Sequence, residues 1–198
     1  MYNTIRTIKT AIFISGRGSN METLIKHSKK KDSKSQITKI FSNNINATGL
    51  EIAKGLKVPK TYYFSRNVFE KKIKKKLVDI DLICLAGFMQ ILSPSFVKEW
   101  EGRLINIHPS YLPYFKGIKA QQKAIEAHST YSGCTVHYVN KNIDAGKIII
   151  QKKIKIFKKD NTESLSKKIL KEEHKLYPIA LDMVVNKLLL NEKNIWLI

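Results

Sequence analysis

Asn106 and His108 stand two residues apart at the end of an apolar run, in Leu104-Ile105-Asn106-Ile107-His108-Pro109-Ser110-Tyr111-Leu112-Pro113. Successive side chains of a strand point to opposite faces, so this spacing puts the amide and the imidazole on one face. Pro109 and Pro113 then end strand pairing and stiffen the exit loop. An amide donor beside an imidazole suits a reaction at a carbonyl: the donor stabilises a developing oxyanion while the ring moves a proton. A histidine merely packed near a strand end would carry the same short signature. A second segment, Asn142-Ile143-Asp144-Ala145-Gly146-Lys147, favours the chemical reading. It offers an Asp in a turn between two strand-like runs, able to reach back to the ring.

Several elements must position these groups. Ile8 to Ser15 reads as a first buried strand, followed by Gly16-Arg17-Gly18-Ser19-Asn20 and a helix from Met21, with Ser19 and Glu22 as a capping box. A glycine turn feeding a helix amino terminus is a ready anion site. Met21 in the third glycine position excludes a dinucleotide fingerprint, and the missing Gly-Lys-Ser/Thr excludes a Walker loop. Residues 36–42 and 58–64 read as strands with a helix over 47–56 between them. Ser65 heads a lysine-rich helix from Arg66 to Val78, in which Val68, Phe69, Ile73 and Leu77 keep helical spacing. The run from Asp81 to Ala86 reads as a central strand of a parallel sheet. Gly87 to Leu92 leaves its carboxyl end, where open α/β sheets bind ligands, though a buried connector would look alike.

Further on, residues 119–127 read as a helix, and 131–140 and 147–157 as two strands joined by the Asp144 turn. His137 is either an ordinary packed histidine or a neighbour of the catalytic pair. Asp160 with Glu163 is expected to cap a long last helix with an apolar stripe from Leu165 to Leu188 and a kink at Pro178. The strand-helix alternation predicts a Rossmann-like, doubly wound, mostly parallel α/β sheet flanked by helices, as one domain over residues 1–198.

Composition narrows the function classes. With 198 residues the chain can bury a substantial core. No apolar stretch reaches membrane-spanning length, and the polar start is not a signal peptide. Cys84 and Cys134 sit in apolar runs without metal-ligand spacing and read as buried thiols of a reducing compartment. The five histidines form no ligand pattern either, so no metal is expected. The formal charge of +20 admits a nucleic-acid or anionic-membrane partner. Yet the only arginines are Arg6, Arg17, Arg66 and Arg103, and bidentate recognition of phosphates and bases leans on arginine. The lysines are spread along helix-like segments and loops and read as solvated surface, able to attract anionic small molecules.

Asn106-Ile107-His108-Pro109-Ser110, Leu112-Pro113 and Asp144-Ala145-Gly146, in this order and spacing, resemble the folate-dependent formyltransferases; the likeness runs from Ala11 to about Trp196. It implies the formyltransferase fold and, among the family's reactions, formyl transfer from 10-formyltetrahydrofolate to the amine of glycinamide ribonucleotide in purine biosynthesis. His108 would shuttle the proton, Asn106 would stabilise the oxyanion, and Asp144 would charge and orient His108. The resemblance further implies that Gly18, Ser19 and Asn20 hold the substrate phosphate and that Glu173 binds the substrate. Met89, Gln90, Ile91 and Leu92, with Asn106, would form the pterin pocket, and Arg66 would contact the glutamate tail. Lys119, Ala145 and Lys147 depart from residues common in the family, as does Arg17. A cytoplasmic enzyme follows, monomeric or weakly dimeric, without nucleic-acid or membrane partners.

Three rivals are weighed. A 10-formyltetrahydrofolate hydrolase shares the Asn/His/Asp set but normally has an additional regulatory domain before the first strand and a His-Ser sequence where this chain has His108-Pro109. Transfer to methionyl-tRNA would suit the charge but needs a further carboxyl-terminal domain. A basic RNA-binding module would expose aromatic residues on a sheet face, whereas these strands read as buried on both faces.

Overall fold

The structure, a computed structural model, describes residues 6–195. The chain forms two compact units, one from residues up to Leu92 together with those from Pro178 onward, the other from Ser93 to Tyr177.

In the first unit, β1 (Ile8–Ile14), β2 (Ser35–Ser42), β3 (Lys60–Tyr63) and β4 (Leu82–Leu85) pair in parallel in the order β3-β2-β1-β4. The connecting helices are α1 (Ser19–Ser28), α2 (Gly49–Gly55) and α3 (Phe69–Lys74). β1 is buried at six of its seven positions because parallel strands are covered on both faces. Phe13 meets Phe41, Phe69 and Phe88 edge-on, with ring centres 5.3 to 5.5 Å apart. The strand order turns at β1, which has β2 on one side and β4 on the other. Loops leaving the carboxyl ends of β1 and β4 therefore open where a doubly wound sheet receives ligands. These loops are residues 15–18 and 86–92.

In the second unit, α4 (Pro94–Glu99) precedes β5 (Leu104–His108), and α5 (Ala120–Glu126) precedes β6 (Tyr131–Tyr138) and β7 (Ile148–Lys155). β6 lies antiparallel to both β5 and β7. α6 (Thr162–Ile195) begins here and continues through Pro178 into residues of the first unit. No helix among the described residues is long and apolar enough to cross a membrane.

Local expectations differ from the structure in four places. α1 starts at Ser19 with Gly18 as its cap in a left-handed conformation, so Ser19 is already helical and no capping box forms. The lysine-rich segment breaks into a 3₁₀ turn at Arg66–Val68 and the short α3, with Ser65 making no side-chain cap. Asn161 and Ser164 cap α6 reciprocally, at 2.8 and 3.1 Å, while Asp160 instead binds Lys168 and the Phe157 N–H. Finally, β7 is half exposed rather than covered on both faces, with Lys152, Lys153 and Lys155 facing water. Lysine-rich edges of this kind discourage strand addition by another chain.

Candidate active site

Register brings the second unit's polar groups together. Asn106 of β5 faces His137 of β6, and His108 faces Thr135. The Asn106 amide nitrogen lies 3.3 Å from His137 Nε2, and His137 Nδ1–H donates to the Tyr138 carbonyl at 2.9 Å. His137, only 2% exposed, thus adjoins Asn106 and not an ordinary apolar packing site. Thr135 pins the chain leaving β5: its hydroxyl donates to the Ser110 carbonyl and accepts from the Leu112 N–H. Gln151 of β7 donates to the Leu112 carbonyl from the next strand.

His108 has an acceptor on each ring nitrogen. The Phe115 carbonyl lies 3.0 Å from Nε2, and the Asp144 carboxylate lies 3.2 Å from Nδ1. Asp144 also accepts from the Gly117 N–H at 2.8 Å and stands 3.5 Å from His137 Nε2. Both partners of the ring occupy left-handed backbone, Phe115 at φ +56° and Asp144 at φ +47°. Aspartate tolerates that conformation, whereas a phenylalanine adopts it only when its surroundings hold it there.

Burial disfavours a charge on His108 and pushes its pKa below the ordinary value, although the Phe115 carbonyl and Asp144 pull upward. The sequence expectation that Asp144 charges His108 is therefore corrected: the carboxylate contributes in that direction, but burial outweighs it. A neutral ring has one N–H for two acceptors, so either tautomer leaves a bare nitrogen facing an acceptor. The ring is a base whose protonated form already has both partners in place. Burial would push Asp144 up, but the His137 and His108 rings and the Gly117 N–H together hold its carboxyl below the usual range. Asp144 stays ionised at neutral pH.

The Asp144 turn depends on Gly146. A Cβ there would lie 1.7 Å from the Tyr138 carbonyl oxygen, an impossible contact with backbone. Gly146→Ala is expected to cost about 1–3 kcal/mol as the turn shifts, and to lose activity with it. Urea unfolding and a turnover assay on the variant would check this; wild-type values in both would mean that the turn gives way freely.

The first unit contributes a separate polar network. Ser15, at the end of β1, donates to Asn43 at 2.6 Å and accepts the Met89 N–H at 2.7 Å. Asn43 donates to the Gln90 side chain, which in turn donates to the Arg66 carbonyl. This network holds the 87–92 loop with Met89 and Ile91 exposed, at 62% and 77%, and Leu92 buried. Gly18, at φ +76°, packs against Gly49, where a Cβ would come within 2.8 Å of the Gly49 Cα. That close approach sets the 16–20 turn, in which Asn20 is buried and Ser19 partly exposed. Arg66 lies exposed on its 3₁₀ turn.

Asn106, His108 and Asp144 are thus brought together in the second unit, while Gly18 to Asn20, Arg66 and Met89 to Leu92 belong to the first. Glu173, on α6 within the second unit, is buried at 6% exposure, unlike the usual glutamate of a lysine-rich helix. Sequence reasoning missed Ser15 and Asn43, although both end parallel strands at their carboxyl edge. It also missed the Phe115 carbonyl and the Gly117 N–H, since backbone groups leave no residue-type signal. Among the described residues, no group of three or more His, Cys, Asp or Glu is placed to hold a metal ion. Burial pushes the Cys134 thiol up to about 12, which makes it inert.

Known proteins share this architecture. A family model described as formyl transferase matches residues 8–181. The phosphoribosylglycinamide formyltransferase of Haemophilus influenzae is 35% identical, over 87% of this chain and 85% of the relative. The trifunctional purine biosynthetic protein adenosine-3 of Chironomus tentans is 42% identical over 90% of this chain, which spans only 14% of that relative's length. The crystal structure of phosphoribosylglycinamide formyltransferase from Anaplasma phagocytophilum matches with a TM-score of 0.88 at 41% identity, covering 91% of this chain and 88% of that one.

Proposed function

The chain belongs to the formyl transferase family, and from that premise we propose that it transfers the formyl group of 10-formyltetrahydrofolate to the amine of glycinamide ribonucleotide. One observation carries the reading: the Asp144 carboxylate lies 3.2 Å from the buried His108 ring and 3.5 Å from that of His137, which the Asn106 amide in turn meets at 3.3 Å. The amine attacks the formyl carbon and forms a tetrahedral intermediate, whose oxyanion the Asn106 amide stabilises. Neutral His108 takes the proton released by the attacking nitrogen. The imidazolium so formed keeps Asp144 on Nδ1, and its Nε2–H leaves the Phe115 carbonyl to deliver the proton to the departing folate nitrogen. Asp144 orients the ring and stabilises its charged form once the proton arrives.

In this reading Gly18, Ser19 and Asn20 hold the ribosyl phosphate, as backbone N–H groups at a helix start favour anions, and Glu173 binds the substrate. Met89, Gln90, Ile91 and Leu92, with Asn106, receive the pterin: the exposed apolar side chains lie on its ring and the backbone meets its edge. Arg66 takes the glutamate tail. Residues 1–198 act as one formyltransferase domain, cytoplasmic, monomeric or weakly dimeric, with no nucleic-acid or membrane partner and no metal. A spectrophotometric assay with 10-formyl folate, run with and without glycinamide ribonucleotide, tests the proposal. Folate product that appears only with the amine supports transfer; equal product without it would identify a hydrolase.

A further inference from the structure

The loop that brings the Phe115 carbonyl to His108 is held by an aromatic cluster outside the reacting groups. Tyr131 opens β6, and its ring meets those of Tyr111 and Tyr114 edge-on, with centres 5.9 and 6.0 Å away. Lys153 of β7 places its ammonium 3.7 Å from the Tyr131 ring centre and 6.0 Å from that of Tyr111. A cation so close to a ring face is attracted by its quadrupole. The neighbouring Tyr114 raises the Tyr131 pKa.

Tyr111 and Tyr114 flank a tight turn. The Tyr114 N–H donates to the Tyr111 carbonyl at 3.2 Å, and Ser110 Oγ donates to the Tyr114 carbonyl at 2.6 Å. The next residue is Phe115, in left-handed backbone, whose carbonyl meets His108 Nε2. Nothing in an aromatic side chain favours φ +56°, so the turn before it must impose that conformation. The rings and the lysine brace this turn against β6 and β7.

We propose that Tyr131, braced by Lys153, is a positioning residue for the transfer reaction: through Tyr111 and Tyr114 it holds the Phe115 carbonyl on the Nε2 of His108. This role rests on the formyl-transfer reading for its effect on rate, but its effect on the histidine does not. The charged or titratable groups acting on His108 are Asp144, His137 and Lys123, the last of which donates to the Lys116 carbonyl in the same loop. Asp144 favours the protonated ring, whereas His137 and Lys123 oppose it. None of these belongs to the aromatic cluster, so the cluster reaches the ring through the loop that carries the Phe115 carbonyl.

The test pairs Tyr131→Ala with Tyr131→Phe and Lys153→Met, following kcat, KM and the His108 ring titration by NMR, with that resonance assigned by its absence from His108→Ala. Tyr131→Ala is expected to lower kcat about tenfold, within the ~10²-fold that an ångström's misplacement can cost, with both KM values kept. Its His108 midpoint should move to lower pH, because the Phe115 carbonyl raises proton affinity. Tyr131→Phe, which keeps the ring, should restore both, and Lys153→Met should act in the same direction as Tyr131→Ala but less. An unmoved or raised His108 midpoint in Tyr131→Ala, or an unchanged kcat beside a lowered melting temperature, would overturn the proposal. Should the wild-type protein transfer no formyl group at all, the titration still decides the positioning role.

Discussion

His108→Ala is expected to lose formyl transfer by about 10²–10⁴-fold, the usual contribution of a positioned acid–base group, while keeping its fold. The loss should fall on kcat and leave the affinity for both substrates near wild type, because the ring's work lies in the transition state. Steady-state kinetics beside circular dichroism would check both halves. Near-normal turnover in a folded variant would remove His108 from the proton path. The same substitution should also alter the dependence of stability on acid. Burial holds the folded ring's pKa below that of the unfolded chain, about 6.5. Between those two values the unfolded chain binds the extra proton, so the wild-type protein loses stability as pH falls through that window. The variant, with no ring to protonate, should lose less over the same range. Asp144 acts in the same sense at lower pH: its contribution is present above about 3.9 and lost as pH falls through its depressed folded value.

Asp144→Asn is expected to have the second-largest effect, about a hundredfold or more in kcat, with a diagnostic change in pH profile. The active form carries a neutral His108, so kcat/KM should fall as pH drops through that ring's pKa. Burial places this acid limb below the ordinary histidine range. The Asp144 carboxylate pulls the value up from where burial alone would set it. Removing the charge therefore moves the limb to still lower pH. The isosteric amide can keep the Gly117 contact, 2.8 Å in the wild-type protein, so the turn need not collapse. A limb displaced to higher pH, or an undiminished plateau, would mean that Asp144 does not act on His108.

Much of this was legible in the sequence because it rests on periodicity and on residue type. Two-residue spacing correctly put Asn106 and His108 on one face of β5, and the polar Asp144 between apolar strands marked a turn that reaches the ring. The doubly wound sheet followed from apolar runs alternating with helical spacing. The charge state of His108 was not legible, since it depends on how deeply a fold buries the ring and not on which carboxylate lies nearby. Nor were the Phe115 carbonyl and the Gly117 N–H, because every residue carries those groups and only the chain's path selects among them. Helix starts were misjudged for a related reason: Gly18 can adopt φ +76°, which lets α1 begin before the Ser19 side chain could cap it.

The most direct measurement follows the formyl carbon itself. Folate carrying a ¹³C-labelled 10-formyl group would be mixed with glycinamide ribonucleotide and a stoichiometric amount of protein, and the label followed by NMR. Label in the formamide carbon of the ribonucleotide, formed with wild-type protein and lost with His108→Ala, is the expected result. Label released as free formate, at the same rate with or without the amine, would contradict the transfer reaction.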